Sequence, residues 1–461
     1  MSGGAIPHIT IIGAGYSGAM VAYHLATQAR RAITVDLLGD TERCGLGVAY
    51  GTPDPVHLLN VAAGRMSALP DVEDDFLQWL RRERPKLESG AFVPRMLFGK
   101  YVSERVEGAI GQSAHAKVRR VVGRAVAIRE RRVLMADGNT LGASDAVVLA
   151  LGNAAPDTPT GVGPGLAASG RYIASPWGSA SGGVDQVGAG DAVVIVGTGL
   201  TMFDVVATLR SRGHRGGIVA VSRRGLLPQT HRTPSLPPGK HEEWPELAAW
   251  DGRALSLSRL VRARVLQARK RGVDWREVIN SLRPITQQVW GRMPIQERRK
   301  FLRFLRPFWE THRHRAPDEV YRLIEPLMRV GTLRIVAGRI ERASAKGGAV
   351  EVVVMPREGG AAMTIPAAWV VNCTGPQTDS RRIDDPLVRD LLSRGQIVAD
   401  PLGLGIETAA DGAVVGMGGR ASEDMYTLGP WRRPALWETT AVPEIRGQAK
   451  ALARTLLQKW E

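Results

Sequence analysis

Two short apolar runs in this chain each end in a glycine-rich turn, and that pairing constrains the fold more than any other feature. The first reads Ile9-Thr10-Ile11-Ile12-Gly13-Ala14-Gly15-Tyr16-Ser17-Gly18, the second Val193-Val194-Ile195-Val196-Gly197-Thr198-Gly199-Leu200-Thr201-Met202. Each predicts a buried strand, a turn whose glycines let backbone approach a pyrophosphate, and a helix N-terminus aimed at that anion. One such turn is weak evidence. Two, a domain's length apart, predict two dinucleotide sites in an α/β protein and electrons passing between them.

Length and composition fit that expectation. A chain of 461 residues exceeds one core, and its 53 Gly and 28 Pro imply many turns. No apolar run approaches the roughly 18 residues of a membrane span. The first run leads straight into its glycine turn, which makes it a strand and not a signal peptide. Cys44 and Cys373 are the only cysteines and lack a C-x-x-C partner. That predicts a cytoplasmic protein without structural disulfides and argues against dithiol–disulfide chemistry. Cys373, in its apolar run, reads as a small core residue. The formal charge of +16 is spread over 205–224, 258–272 and 298–315 among interleaved acids. This spacing predicts solvated Arg-rich faces and pockets for small anions, with no nucleic acid and no membrane as partner. His312 and His314 are two apart, on different helix faces, so no metal site is expected.

Along the chain, 8–38 reads strand–turn–helix–strand. Helices are predicted at about 72–84 and 97–110, and strands near 118–128, 132–136 and 146–151. A linker is expected over 154–170, and the second strand–turn–helix unit begins near 190. A proline cluster at 234–238 leads into a helical insertion over about 240–330. Strand patterns resume at 333–341, 350–354 and 369–375, and a last helix covers about 436–459. The predicted fold is therefore two Rossmann-like dinucleotide-binding domains with a helical insertion. One is discontinuous, 1–155 plus 365–461; the other is 156–364.

The first turn carries the whole glycine triad. Gly13 permits the tight turn, Gly15 the approach of phosphates, and Gly18 the packing of helix on strand. An acid about 20 residues on should hold a ribose hydroxyl; Asp36 is the expected residue and Asp40 the alternative. The second turn has Met202 in place of the third glycine. Its following strand ends in Ser222-Arg223-Arg224 instead of an acid. Guanidinium favours a 2′-phosphate, which predicts NADPH over NADH.

These motifs resemble bacterial FAD/NAD(P)-binding oxidoreductases related to N-hydroxylating and flavin-containing (class B-like) monooxygenases, a group that includes aspartate N-monooxygenases. The resemblance rests on Gly13–Gly18, His57–Asp71, Phe92–Tyr101, Gly197–Asp204, and Leu428-Gly429-Pro430 with Leu436–Ala441. It implies FAD held by Gly13, Gly15, Tyr16, Ser17, Gly18, Asp36, Asn60, Arg65, Met66, Ser67, Gly152, Gly375, Gly429, Pro430, Trp437 and Glu438. NADP is expected at Gly197, Thr198, Gly199, Leu200, Thr201, Ser222, Arg223 and Arg224, and the basic pair Arg432 and Arg433, just past the flavin-contacting turn, is expected to face substrate. The last helix is expected to begin near Glu438-Thr439-Thr440, its N-terminus at the flavin's pyrimidine edge. The implied activity is NADPH-dependent oxygenation, through a C4a-hydroperoxyflavin, of an amine or other soft nucleophile, an acidic amino acid being one candidate. Dioxygen is the second substrate, and no side chain is required as general acid or base. No Phe-x-Gly-x-x-x-His-x-x-x-Trp signature precedes the second turn, which argues against a Baeyer–Villiger oxygenase. Two rivals share the motifs: an FAD-dependent NADPH:acceptor reductase or oxidase that oxygenates nothing, and a non-catalytic dinucleotide sensor. Substrate identity and oligomeric state stay open at this level.

Overall fold

A computed structural model describes residues 6–177, 183–232 and 243–460. The proline cluster at 234–238 and the first residues of the expected insertion lie outside the described residues. Sixteen strands are present among the described residues. They are β1 (His8–Ile12), β2 (Ile33–Gly39), β3 (Ala116–Val122), β4 (Ala125–Arg129), β5 (Arg132–Met135), β6 (Thr140–Ala143), β7 (Ala146–Leu149) and β8 (Tyr172–Ile173). The remainder are β9 (Val193–Val196), β10 (Ile218–Ser222), β11 (Leu333–Lys346), β12 (Ala349–Pro356), β13 (Met363–Ala367), β14 (Trp369–Asn372), β15 (Ala413–Val415) and β16 (Ala421–Thr427). The chain divides into two compact units: Met1–Pro53, Ala62–Ala154 and Gln377–Glu461 form one, and Asp54–Val61 with Ala155–Pro376 form the other.

In the first unit the main sheet has the order β15-β16-β7-β1-β2-β3. β1 lies between β2 and β7, parallel to both. Covered on both faces, it is isoleucine-rich, with Ile9 and Ile11 fully buried and the hydroxyl of the buried Thr10 hydrogen-bonded to Ser144 at 2.7 Å. The helix Tyr16–Gln28 follows and packs against the terminal helix Val442–Gln458. The expected strand over 118–128 is two strands, because Gly123 takes φ +148° and breaks the run between β3 and β4. β4, β5 and β6 form a separate antiparallel sheet. The terminal helix begins at Val442, not near Glu438, with Pro443 in its first turn, where a missing N–H costs nothing.

In the second unit the order is β13-β12-β11-β10-β9-β14-β8. β14 pairs in parallel with β9 and β8, so the expected boundary at 365 is corrected: 365–376 belongs to this unit. A strand needs neighbours for its amides, and β14 finds them here. The stretch over 154–170 is likewise not a bare linker. It includes the short helix Pro164–Ala168, and Gly161 accepts from the Ala343 amide at 2.7 Å. Helices occupy 254–329 between β10 and β11. In the last of them, Asp318–Arg329, Val320, Ile324 and Leu327 recur at helical spacing and join the core around Phe203 and Val206. Trp244, Trp250 and Trp290 are buried in the insertion, and Cys373 is buried in the unit's core.

Candidate functional site

The first turn is built by exclusion of side chains. Gly13 has φ +111°, and a Cβ there would lie 2.2 Å from the Ala150 carbonyl oxygen. A Cβ on Gly18 would lie 1.9 Å from the Gly13 oxygen, which leaves no room for a methyl group between helix and strand. Gly15 caps the helix Tyr16–Gln28 in extended conformation. Its would-be Cβ faces only backbone of Gly47, 3.5 Å away, so two glycines oppose each other with no side chain between them. The Gly45 amide donates to the Ala14 oxygen at 2.8 Å and holds this second glycine segment over the first. Bare backbone beside a helix N-terminus is what a pyrophosphate requires.

Three further segments of the same unit meet here. A Cβ on Gly429 would sit 3.1 Å from Ser17 Oγ. The Gly429 amide donates to Gln448 Oε1 of the terminal helix at 3.0 Å, and Thr439 donates to the Gly429 carbonyl at 3.2 Å. Arg446 of that helix donates to the Ser67 carbonyl at 2.9 Å. Trp431 Nε1 donates to the Gly152 carbonyl at 2.9 Å, which ties the 429–432 turn to the exit of β7. The 62–69 segment is pinned from behind as well: Tyr101 OH receives the Ala68 amide and donates to Asp75, itself bound two-pronged by Arg105. Ser67 and Met66 are buried, Arg65 is half-buried, and Pro430, Trp437 and Glu438 lie on the turn or just beyond it. Sequence reasoning missed Gln448 and Arg446. Their only signal is two long polar side chains in the first turns of a helix that follows the Gly429 turn.

Several expected roles do not fit. Asp36 lies opposite Thr10 in mid-strand, three residues short of the turn, and is bound by Arg119 at 2.6 and 2.8 Å and by His8 at 3.3 Å. Burial alone would raise its pKa; the hydrogen bonds from His8 and Arg119 override this and hold it at about 2. It is a sheet residue. Asp40, exposed and immediately past β2, is the acid at the strand's end. The ring of Tyr16 packs against Tyr50 and Phe98, leaving its backbone on the turn. Arg432 is buried, and its guanidinium donates to the carbonyls of Ala409 and Ala410 at 3.0 and 2.7 Å, so it staples a loop where substrate contact was expected. Burial lowers its pKa, opposed by Asp411. Arg433 stacks on Trp437 at 4.6 Å. Asn60 and Gly375 belong to the second unit, where the Asn60 carbonyl faces His231 Nε2 at 3.0 Å.

The second turn repeats the first. Gly197 has φ +110°, and its would-be Cβ lies 2.4 Å from the Cys373 oxygen. Gly199 caps the helix Leu200–Ser211, and nothing lies within 4 Å of its would-be Cβ. Met202 is fully buried where the third glycine would stand. Thr198 donates to the Leu226 carbonyl at 2.6 Å, Ser222 donates to Thr198 at 2.9 Å, and Ser222 accepts from the Gly225 amide at 3.0 Å. Both hydroxyls, expected at a cofactor, are thereby engaged in closing the turn. Leu200 packs partly into the core and Thr201 is half-buried. Arg223 is exposed just past β10, whereas Arg224 reaches the helical insertion, 5.2 Å over the Phe308 ring.

Two sheets of the same winding, each with a glycine turn free of side chains at the carboxyl end of an inner strand, define a two-dinucleotide α/β fold. Comparison with known proteins places that fold. Residues 10–154 match a family described as FAD-NAD(P)-binding. L-lysine 6-monooxygenase from Pseudomonas syringae superposes with a TM-score of 0.66 at 15% identity, over 99% of this chain and 100% of that one. The ornithine N-hydroxylase of Kutzneria sp. 744 gives 0.64 at 14% identity, again over 99% and 100%. The chain thus has the fold of the N-hydroxylating flavin monooxygenases. In sequence it is similar to the L-aspartate N-monooxygenase (nitrosuccinate-forming) of Streptomyces cremeus, 28% identical over 261 residues. That match covers 47% of this chain and 38% of the relative. No described helix is long and apolar enough to cross a membrane.

Proposed function

We propose that the chain is an NADPH-dependent flavoprotein that N-hydroxylates an amine, with an acidic amino acid as the favoured substrate class. The observation that carries this reading is the paired construction of the two turns. Gly13 and Gly197 have the same positive φ, each lies under the end of a neighbouring strand, and only the second is followed by an exposed arginine where β10 ends. The S. cremeus relative supports an acidic amino acid as substrate.

In the first unit, Gly13, Gly15, Ser17 and Gly47 would hold the pyrophosphate of FAD, Asp40 its ribose, and the segments 65–67 and 429–438 its flavin end. Gly197, Gly199 and Arg223 would hold NADPH. When bound, FAD would supply the redox chemistry, accepting hydride and activating dioxygen, for an overall reaction in which amine, O₂, NADPH and a proton yield hydroxylamine, NADP⁺ and water. The protein's share is orientation and exclusion of water. Arg446 and Gln448 fix the two segments that meet the first turn, and the buried Trp437 and Met66 keep that region apolar.

Purified protein, reduced anaerobically with NADPH and then mixed with oxygenated L-aspartate, should form hydroxylamine-level product in proportion to NADPH consumed. L-Ornithine and L-lysine serve as comparison amines. Peroxide in place of product with every amine, and immediate return of oxidised flavin, would identify the reductase or oxidase alternative.

A further inference from the structure

Beyond Arg223, two arginines that no dinucleotide motif would flag surround the carboxyl end of β10. β10 and β11 run parallel as far as Ser222 opposite Ala337. β11 then continues past the end of β10 and pairs antiparallel with β12, placing Arg339 opposite Met355. A cavity of about 330 Å³ opens in that corner, lined by Arg223, Arg339, Arg357, Glu341, Gly338 and the Met355–Pro356 edge. Gly338 keeps the floor low, since a Cβ there would lie 2.7 Å from both the Met355 carbonyl and Val354 Cγ1. The Arg357 amide donates to the Ala337 carbonyl at 2.9 Å, and its guanidinium donates to the Arg223 carbonyl at 3.3 Å. All three arginines are exposed, and among the described residues none forms an ion pair with a carboxylate, Glu341 included.

Three guanidinium groups around one cavity repel one another, and a compact dianion is the ligand that reverses this cost. Guanidinium forks match phosphate oxygens two at a time, which lysine does not do. In a sheet of this winding the ligand lies outside the carboxyl ends of the strands, and the ribose end of a dinucleotide reaches the strand that follows the glycine turn. We infer that Arg339 and Arg357, with Arg223, form the 2′-phosphate site of NADPH, and that Arg224 takes no part in it. The inference rests on the reading of the second unit as an NADPH domain.

Titration calorimetry on the FAD-loaded protein tests it with 2′,5′-ADP, 5′-AMP and inorganic phosphate as probes. The unaltered protein should bind 2′,5′-ADP at least about 10-fold tighter than 5′-AMP. Arg339→Ala/Arg357→Ala should lose about 10- to 100-fold in 2′,5′-ADP affinity, with 5′-AMP affinity and melting temperature unchanged. Arg339→Lys/Arg357→Lys should recover part of the loss, because charge returns without the fork. Arg224→Ala should bind both nucleotides as the unaltered protein does. Wild-type 2′,5′-ADP affinity in the double alanine variant overturns the inference, and a loss confined to Arg223→Ala does so while leaving the NADPH reading standing. Equal affinity for 2′,5′-ADP and 5′-AMP in the unaltered protein overturns both. Phosphate binding that is lost in the double variant without any change for 2′,5′-ADP marks a simple anion site and overturns the nucleotide assignment.

Discussion

The two glycine turns share a backbone and differ in what surrounds it. Gly13 and Gly197 have φ +111° and +110°, and both amides donate to the adjacent strand at 2.8 Å. A residue two positions after the close-packed carbonyl again takes positive φ in each unit: Gly152 after Ala150, Gly375 after Cys373. Around this common scaffold, the first turn is closed over by Gly45–Gly47 and its helix sits tight on the strand through Gly18. The second is open at Gly199, and Met202 fills the space behind it. A covered turn suits a cofactor that stays; an open one suits a cofactor that comes and goes.

The largest expected effect is at the third position. Gly18→Ala puts a methyl group 1.9 Å from a backbone oxygen that cannot yield without breaking the turn. We expect a loss of more than about 4 kcal/mol, seen as insoluble or colourless protein. A soluble, FAD-loaded Gly18→Ala protein would show that the helix can lift from the strand, and the contrast with Met202 would collapse.

Next comes the middle glycine, where the same substitution should have different consequences. Gly15→Val brings its Cβ into contact with Gly47 at 3.5 Å and puts its methyl groups where the pyrophosphate would lie, and should abolish bound flavin. Gly199→Val meets open space in the structure, so flavin content and melting temperature should hold while anaerobic reduction by NADPH falls at least about 100-fold. Unchanged reduction in Gly199→Val would mean that the second turn holds no nucleotide.

Met202→Ala should cost about 2–5 kcal/mol in urea unfolding, the range for emptying a buried methionine site. The second turn's geometry should survive, and NADPH-driven reduction with it. If reduction is lost at a temperature where the variant is still folded, Met202 sets the position of the helix N-terminus as well as filling space.

How much of this was legible depended on whether the signal was local. The turns, the strand–helix alternation and the burial of Cys373 follow from residues adjacent in sequence. Pairing is not local: nothing in Trp369-Val370-Val371-Asn372 says which strand it joins, so the pattern alone places β14 in the first unit whereas it pairs with β9 of the second. The same holds for polar side chains. Arg432 and Arg433 sit beside the right turn, yet one is turned inward onto Ala409 and Ala410 and the other onto Trp437. Gln448 and Arg446, which do brace the turn and the 62–69 segment, lie on a helix whose start is set by Pro443. Counting positions brings Asp36 near the expected offset, but an offset does not say where the strand ends, and Asp36 lies three residues before that end.

That acid gives the smallest predicted effect. Asp36 is held at about pH 2 by His8 and Arg119 against the cost of its burial, below the ordinary 3.8 of an aspartate. A depressed folded-state value means that the carboxylate's contribution is present in full above the unfolded value and vanishes as pH falls through the folded one. With Arg119 largely in solvent, that contribution is discounted to about 1–2 kcal/mol at neutral pH. Asp36→Asn should therefore lower stability by about that amount at pH 7, and the gap should close as pH drops from about 4 towards 2. Flavin content and flavin affinity should not move, since the side chain is engaged in mid-sheet. Asp40→Asn should behave in the opposite way, with unchanged stability and FAD binding weakened about 10-fold, as for the loss of a charge-assisted contact to a ribose hydroxyl. Weaker flavin binding in Asp36→Asn at unchanged stability would return the ribose to Asp36 and remove Asp40 from the first site.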